Sequence, residues 1–437
     1  MRIWLRPERL GACLLCAAAL AGCSSEASPP SREQGSASAP ATSAGEAAPA
    51  ELSPVTVEVP EDLGAAPFDE PRQALVPQGW TMAVWARIPE ARLARWTPDG
   101  ALLVSVPRTG QVIKLTPNGA GPQPTQLLSG LTQPHGMAFA GQTLYVAESD
   151  EVVAYDYVNG EATNRRVVAG GLPDAESPDL KGAYAHALKS VAVGPDGAVY
   201  FSIGSTGNIS AGDRDATPPR ATIMRVPPGG GPAEPFATGV RNGTGLAVAP
   251  DGSVWTAVNG RDNVLTPRTG QVDPDYVDDH PPEQLARLTP GRELGWPYCN
   301  IDGGPGDVPF IRDVQTNADG SKMDCAALPP VEQSFGAHSA PLGLSFVDGA
   351  LPEPYARGAL VGIHGSWNRQ PPRAPEVSFY PWRDGGLGDQ QTLVGGFQAE
   401  DGSRWGRPVD AVAGPDGAVY ITDDDADAVY RLAPPGR

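Results

Sequence analysis

The sequence predicts an all-β protein, a six-bladed β-propeller, and three observations predict it. A two-strand phrase returns six times between Arg92 and Thr422. Gly and Pro are abundant, 53 and 48 of 437 residues, which suits many turns rather than long helices. Each copy leaves room for about four strands, and repetition of that unit around an axis is a propeller. Six near-identical hairpins are hard to place in a two-sheet sandwich.

The copies, in order, are RLARWTPDGALLVS from Arg92, GMAFAGQTLYVA from Gly136 and SVAVGPDGAVYFS from Ser190. GLAVAPDGSVWTA from Gly245, GLSFVDGALPEPYARGALVGI from Gly343 and DAVAGPDGAVYIT from Asp410 follow. Pro presets one turn dihedral, Asp tolerates the next, and Gly takes the positive φ that closes the hairpin. Alternate apolar residues then bury the strand faces. A third alternating strand follows several copies, as in GQVIKLTP, EVVAYDY, ATIMRVPP and AVYRLAP. The longest interval separates Asp251 from Asp348, and long insertions between strands are where a propeller carries its chemistry.

The N-terminus reads as an export signal: Arg2, Arg6 and Arg9, then an apolar stretch from Leu10 to Leu20. Leu20-Ala21-Gly22-Cys23 resembles a bacterial lipobox. Residues 1–22 are therefore expected to be a lipoprotein signal peptide and Cys23 the lipidated residue, anchoring an exported protein that faces the periplasm or the cell exterior. Residues 23–75, rich in Ala, Ser, Pro, Glu and Gly, are expected to form a disordered linker, and 76–437 the propeller. Once Cys13 and Cys16 leave with the signal, Cys299 and Cys325 remain, an even pair expected to form a disulfide. Closing that loop contributes roughly 3–4 kcal/mol.

The charge balance, 51 acidic against 32 basic residues, makes nucleic acid a poor partner. No P-loop, strand-linked GxGxxG or GxSxG elbow is present. Four of the five histidines, His135, His186, His338 and His364, flank the hairpin phrase, where inner strands meet the channel mouth. Arg241 and Asn242 precede one inner strand and Arg407 stands equivalently before another, offering donors for a carboxylate or a quinone oxygen. Asn259-Gly260-Arg261-Asp262, followed by Asp275, Asp278, Asp279 and Glu283, is an oxygen-rich segment suited to Ca²⁺ or simply to solvent.

HALKSVAVGPDGAVYFSIGSTGN, GVRNGTGLAVAPDGSVWTAVNGRDN, DDHPPEQL, LGWPYC, GAHSAPLGLSF, LVGIHGSWNR and GRPVDAVAGPDGAVYITDD together resemble the glucose/sorbosone dehydrogenase family, from about residue 80 to the C-terminus. The resemblance implies pyrroloquinoline quinone (PQQ) over the channel mouth and Ca²⁺ against its reactive carbonyl. It implies His186 as general base and Arg241 as catalytic arginine. Asn242, Thr244, Arg407, Arg369, His338 and Trp367 fall among the cofactor contacts. Gly260 and Arg261, through their carbonyls, and Asp262 fall at the metal. The implied substrate is a sugar or sugar-derived aldehyde, with electrons passing to a periplasmic or membrane acceptor. Three departures stand out. A cofactor-holding lysine has no counterpart, Arg369 being the nearest substitute; only one arginine is obvious near Arg407; and Lys189-Ser190 stands where relatives have an arginine. The competing expectations are a Ca²⁺-dependent lactonase-type hydrolase and a non-catalytic ligand-binding propeller.

Overall fold

The computed structural model describes residues 51–119, 121–303 and 308–436. The expected signal peptide and Cys23 lie outside them.

All six repeated phrases form the first two strands of a blade built on four antiparallel strands, six such blades follow one another, and two of them gain a short fifth strand. Blade 1 runs through Ala94–Trp96, Leu102–Val106, Gln111–Asn118 and Gly121–Leu128. Blade 2 comprises Met137–Ala140, Thr143–Ala147, Val152–Val158 and Glu161–Ala169. Val191–Val193, Val199–Ile203, Thr222–Val226 and Glu234–Thr238 make blade 3. Gly245–Val248, Val254–Val258, Glu283–Leu288 and Gln333–Phe335 make blade 4. Pro341–Asp348, Arg357–Ile363, Glu376–Arg383 and Gln391–Val394 make blade 5. Blade 6 takes Pro408–Ala413, Val419–Asp423 and Ala428–Ala433 from the end of the chain and Thr81–Arg87 from its start, with Met82 opposite Leu432. That pairing closes the ring and leaves no blade with a missing strand. The turns behave as their chemistry requires: Gly197 and Gly417 of the Pro-Asp-Gly copies sit at φ +85° and +78°.

Hydrogen bonds near the inner strands link each blade to the next. Ala94 N donates to Asp410 Oδ2 at 3.0 Å, and Arg95 Nε to Met137 O at 3.2 Å. Gly136 N donates to Lys189 O at 2.9 Å and Ser190 Oγ to Thr244 O. Thr244 Oγ1 reaches Pro341 O at 3.4 Å, and Ser345 Oγ reaches Ala411 O at 2.6 Å. Apolar side chains such as Leu102, Phe201, Trp255 and Phe379 are buried in clusters that fill the space around the blades.

The expected linker boundary at residue 75 needs correction. Leu52–Thr56 pairs with Gln73–Pro77, and Val57, Phe68, Ala74 and Val76 are buried with Phe397 and Tyr430 of the last blades. The alternation in LSPVTVEV supplies the apolar face, although the Ala/Pro/Glu-rich composition around it hides the signal. Cys299 and Cys325 are bonded, as expected, with Cα atoms 5.7 Å apart in the blade 4 insertion. The same insertion sends Arg292–Glu293 to pair in parallel with Glu234–Thr238 of blade 3. No helix among the described residues is long and apolar enough to cross a membrane.

Candidate active site

His186 lies on the segment entering blade 3, and its seat is specific. Nδ1 stands 3.0 Å from Ser205 O and 2.9 Å from Ser205 Oγ, while that hydroxyl donates to Gly207 O at 2.8 Å. A carbonyl can only accept, so Nδ1 carries the proton and Nε2 keeps a bare lone pair. Burial, with the nearby Arg241 charge, lowers the imidazole pKa to about 4, so the ring is neutral at physiological pH. Lys189, three residues on, is buried with Nζ donating to Ser149 O, Pro173 O and Ala187 O. It fastens this segment to blade 2, and burial lowers its pKa to about 7.

Gly204 must be glycine for His186 to sit there. A Cβ on Gly204 would lie 2.6 Å from His186 Cβ and 2.7 Å from His186 O. Gly204→Ala is expected to shift the imidazole by about 1 Å and lower kcat by about a hundredfold. Steady-state kinetics alongside a thermal melt checks this; an unchanged kcat refutes it.

Arg241 joins His186 through Ser205, whose N–H donates to Arg241 O at 2.8 Å. Its guanidinium is buried and divided between Asn259 O and Asn208 Oδ1, each at 3.1 Å, with Asp262 Oδ2 3.8 Å away. Arg241 Nε is buried without a hydrogen-bond partner among the described residues. Burial lowers its pKa to about 10, and the side chain stays cationic at neutral pH. Asn242 follows, its Oδ1 3.3 Å from the position a Gly204 Cβ would take. Thr244, expected at the cofactor, is buried and turns its hydroxyl to Pro341 O in the inter-blade ring.

The loop after blade 4's second strand, 259–262, has an alternation that fits an ion. Asn259 O and Asp262 O accept hydrogen bonds, from Arg241 and Asn208. Between them, the carbonyls of Gly260 and Arg261 accept none among the described residues. Two adjacent free carbonyl oxygens are hard donors of the kind Ca²⁺ takes. Arg261's side chain points elsewhere, buried against Asp313 and Gln315. Glu283 braces the loop, accepting from Gly260 N at 3.1 Å and Ala340 N at 2.6 Å, and burial pushes its carboxyl up to about 7. One oxygen of the Asp262 carboxylate, Oδ1, is engaged by His338 Nδ1 at 3.4 Å and Asn368 Nδ2 at 3.3 Å, while Oδ2 faces Arg241 Nη2 at 3.8 Å. Burial opposes its charge, but His338 and Arg241 hold the pKa below the usual range.

His338 gives Nε2 to Val277 O at 2.7 Å. Burial opposes its protonation, yet Asp262 lifts its pKa, so this ring is not the base. Asp278 and Asp279, read from sequence as suited to an ion or to solvent, hold the 368–370 loop: Gln370 N donates to Asp278 Oδ1 and Arg369 Nη2 to Asp279 Oδ1, both at 2.9 Å. Trp367 on this loop is 75% exposed. At the loop's other end Arg407 donates Nε to His364 O at 2.9 Å and Nη2 to Gly365 O at 3.2 Å; Nη1 is uncommitted among the described residues. His364 Nε2 meets Asp424 Oδ1 at 2.7 Å, and Arg92 meets the other oxygen of that carboxylate at 2.6 Å. His135 is buried against Lys189 O.

The structure thus gathers His186, Arg241, Asn242, the 260–262 loop and His338, and links them through the 364–369 segment to Arg407. Arg369 stands nearby but already paired. Ser205, Gly204 and Asn208 were missed as site residues, although all three lie within the FSIGSTGN that closes the blade 3 hairpin. A separate cavity of about 710 Å³ lies beside Cys325, lined by Phe310, Ile311 and Met323. It contains none of these residues.

The donor set fits a planar quinone bearing carboxylates and a Ca²⁺ ion: an uncommitted guanidinium edge on Arg407, an orphaned Nε on Arg241 and two free carbonyls at 260 and 261.

Known proteins agree with the architecture. An uncharacterized protein of Borreliella burgdorferi is 24% identical over 319 residues, 69% of this chain and 76% of that one. The pyrroloquinoline quinone-dependent pyranose dehydrogenase of Coprinopsis cinerea is 25% identical over 270 residues, 55% of this chain, which spans 35% of that protein's length. The holo PQQ domain of the Coprinopsis cinerea pyranose dehydrogenase superposes with a TM-score of 0.69 at 20% identity, covering 83% of this chain and 97% of that domain. The PQQ-bound aldose sugar dehydrogenase of Streptomyces coelicolor gives 0.53 at 15% identity, covering 82% and 99%. The resemblance drawn from the sequence motifs therefore stands. A family sequence model described as TrAA12-like matches residues 74–434, and the chain belongs to that family.

Proposed function

We propose that this protein is an exported, lipid-anchored oxidoreductase that oxidises a sugar or sugar-derived aldehyde with PQQ and Ca²⁺. The observation that carries the reading is His186's seat: Nδ1 committed to Ser205, Nε2 bare, and a buried cation joined to the base through the same serine. When bound, the quinone supplies the acceptor for a hydride and Ca²⁺ supplies Lewis-acid polarisation. His186 Nε2 takes the proton of the substrate hydroxyl. Arg241 offers its remaining N–H to negative charge developing nearby, in a site where burial strengthens the interaction. Gly260 and Arg261 would hold the ion by their carbonyls; Arg407, Asn242 and exposed Trp367 would hold the quinone. Pyranose oxidation by the Coprinopsis cinerea relative supports a sugar substrate. The Leu20–Cys23 motif supports the anchor.

A lactonase-type hydrolase is less well supported, because it needs uncommitted carboxylates. Both oxygens of Glu283 accept backbone N–H groups, Asp262 has Oδ1 on His338 and Asn368 with Arg241 facing Oδ2, and the acidic trio Glu148, Asp150 and Glu151 has Arg165 against two of its members.

The test takes protein from the membrane fraction, where an acylated Cys23 would retain it, and reconstitutes it with PQQ and Ca²⁺. Dye reduction with a panel of aldoses and sorbosone is expected, lost on chelation and restored by Ca²⁺. With burial holding His186 near 4, kcat/KM should rise as pH climbs through about 4 and stay level through neutrality. No quinone uptake at micromolar concentration overturns the reading.

A further inference from the structure

We propose that Asn208 is a positioning residue that couples the seat of the base to Arg241 and to the ion-binding loop. This rests on the functional reading above. Asn208 lies three residues after Ser205, on the segment that holds His186. Its amide makes a two-point clamp on the main chain of one residue in another blade: Nδ2 donates to Asp262 O at 2.8 Å, and Oδ1 accepts from Asp262 N at 2.9 Å. The same Oδ1 accepts from Arg241 Nη2 at 3.1 Å. Trp296 Nε1 donates to Asn208 O at 3.2 Å, and Arg214 Nη1 donates to Trp296 O at 2.7 Å while its guanidinium pairs with Glu293. The blade 4 insertion therefore braces Asn208 from behind.

Each contact sets something the site needs. The clamp satisfies Asp262's peptide groups, so that residue does not turn inward to compete with the free carbonyls of Gly260 and Arg261. The shared Oδ1 aims Arg241 on one side while Asn259 O aims it on the other. Only an amide does both, since a carboxylate has no donor for Asp262 O and glutamine is one methylene too long. Asn208 touches neither the ion loop's free carbonyls nor His186, so its effect passes through the groups it holds.

The test compares wild type with Asn208→Ala and Asn208→Asp. Three measurements are made on each: folded fraction by circular dichroism and melting, the Ca²⁺ concentration for half-maximal quinone uptake by quinone absorbance, and kcat with KM for the sugar per folded molecule. Asn208→Ala is expected to lower kcat by about a hundredfold with KM unchanged, and to raise the Ca²⁺ midpoint about tenfold. Asn208→Asp, which keeps the acceptor and loses the donor, is expected to fall between, and decides the matter if the alanine variant does not fold. A wild type that loads normally, beside variants whose kcat and Ca²⁺ midpoint per folded molecule match it, overturns the coupling alone. A wild type that takes up no quinone overturns the functional reading beneath it.

Discussion

Replacing His186 with alanine is expected to lower kcat by about a thousandfold and leave uptake of quinone and Ca²⁺ unchanged. The magnitude follows from what is removed. A neutral imidazole with its proton held at Nδ1 presents one bare nitrogen, and neither His338 nor His364 stands ready to replace it. His338 is drawn toward its protonated form by Asp262, and His364 is engaged with Asp424. His186 makes no hydrogen bond to the 260–262 loop or to Arg407, so cofactor loading should survive its loss. Kinetics and quinone absorbance on the same preparation separate the two effects. Activity within tenfold of wild type, on the order of ordinary positioning losses, would remove His186 from the role of base.

Arg241→Ala should cost almost as much, about a hundredfold to a thousandfold in kcat, and should also weaken the fold. The guanidinium is buried, and its departure strips donors from Asn259 O and Asn208 Oδ1 and removes a cation near Asp262. A loss of about 2 kcal/mol of stability is expected from those unsatisfied groups. Arg241→Lys keeps the charge but cannot reach both acceptors with a single ammonium, so it should recover stability better than rate. Thermal melts and kcat measured on both variants distinguish charge from geometry. Equal recovery of both by lysine would mean that the fork has no role.

Most of the candidate site was legible because its residues sit beside the repeated hairpin. The entry to an inner strand is a fixed place in a propeller, so His186, Arg241 and Arg407 are located once the blade is. The carbonyl pair at 260 and 261 came only from the resemblance, since backbone oxygens leave no trace in residue identity. Asp262 shows a different limit: an acidic residue in an oxygen-rich loop reads as a ligand, while which neighbours one of its oxygens takes, His338 and Asn368, shows only in the structure. Thr244 reads as a polar residue at the mouth and proves to be an inter-blade link. Polar side chains have several possible partners, and which one they take is decided by what packs beside them.

The repeated alternation and the Pro-Asp-Gly turns act over a few residues, so composition and spacing alone determined the all-β class, the six hairpins and their order. The Cys299–Cys325 bond was legible because the expected export signal leaves one pair to make. Closure of blade 6 by Thr81–Arg87, the hairpin from Leu52 to Pro77 and the Asn208 clamp on Asp262 were decided only by tertiary structure. The blade 6 closure, the packing of the hairpin on Phe397 and Tyr430, and the clamp each join segments well separated in sequence, and the free energy of such a contact appears only after the fold has brought both partners into place.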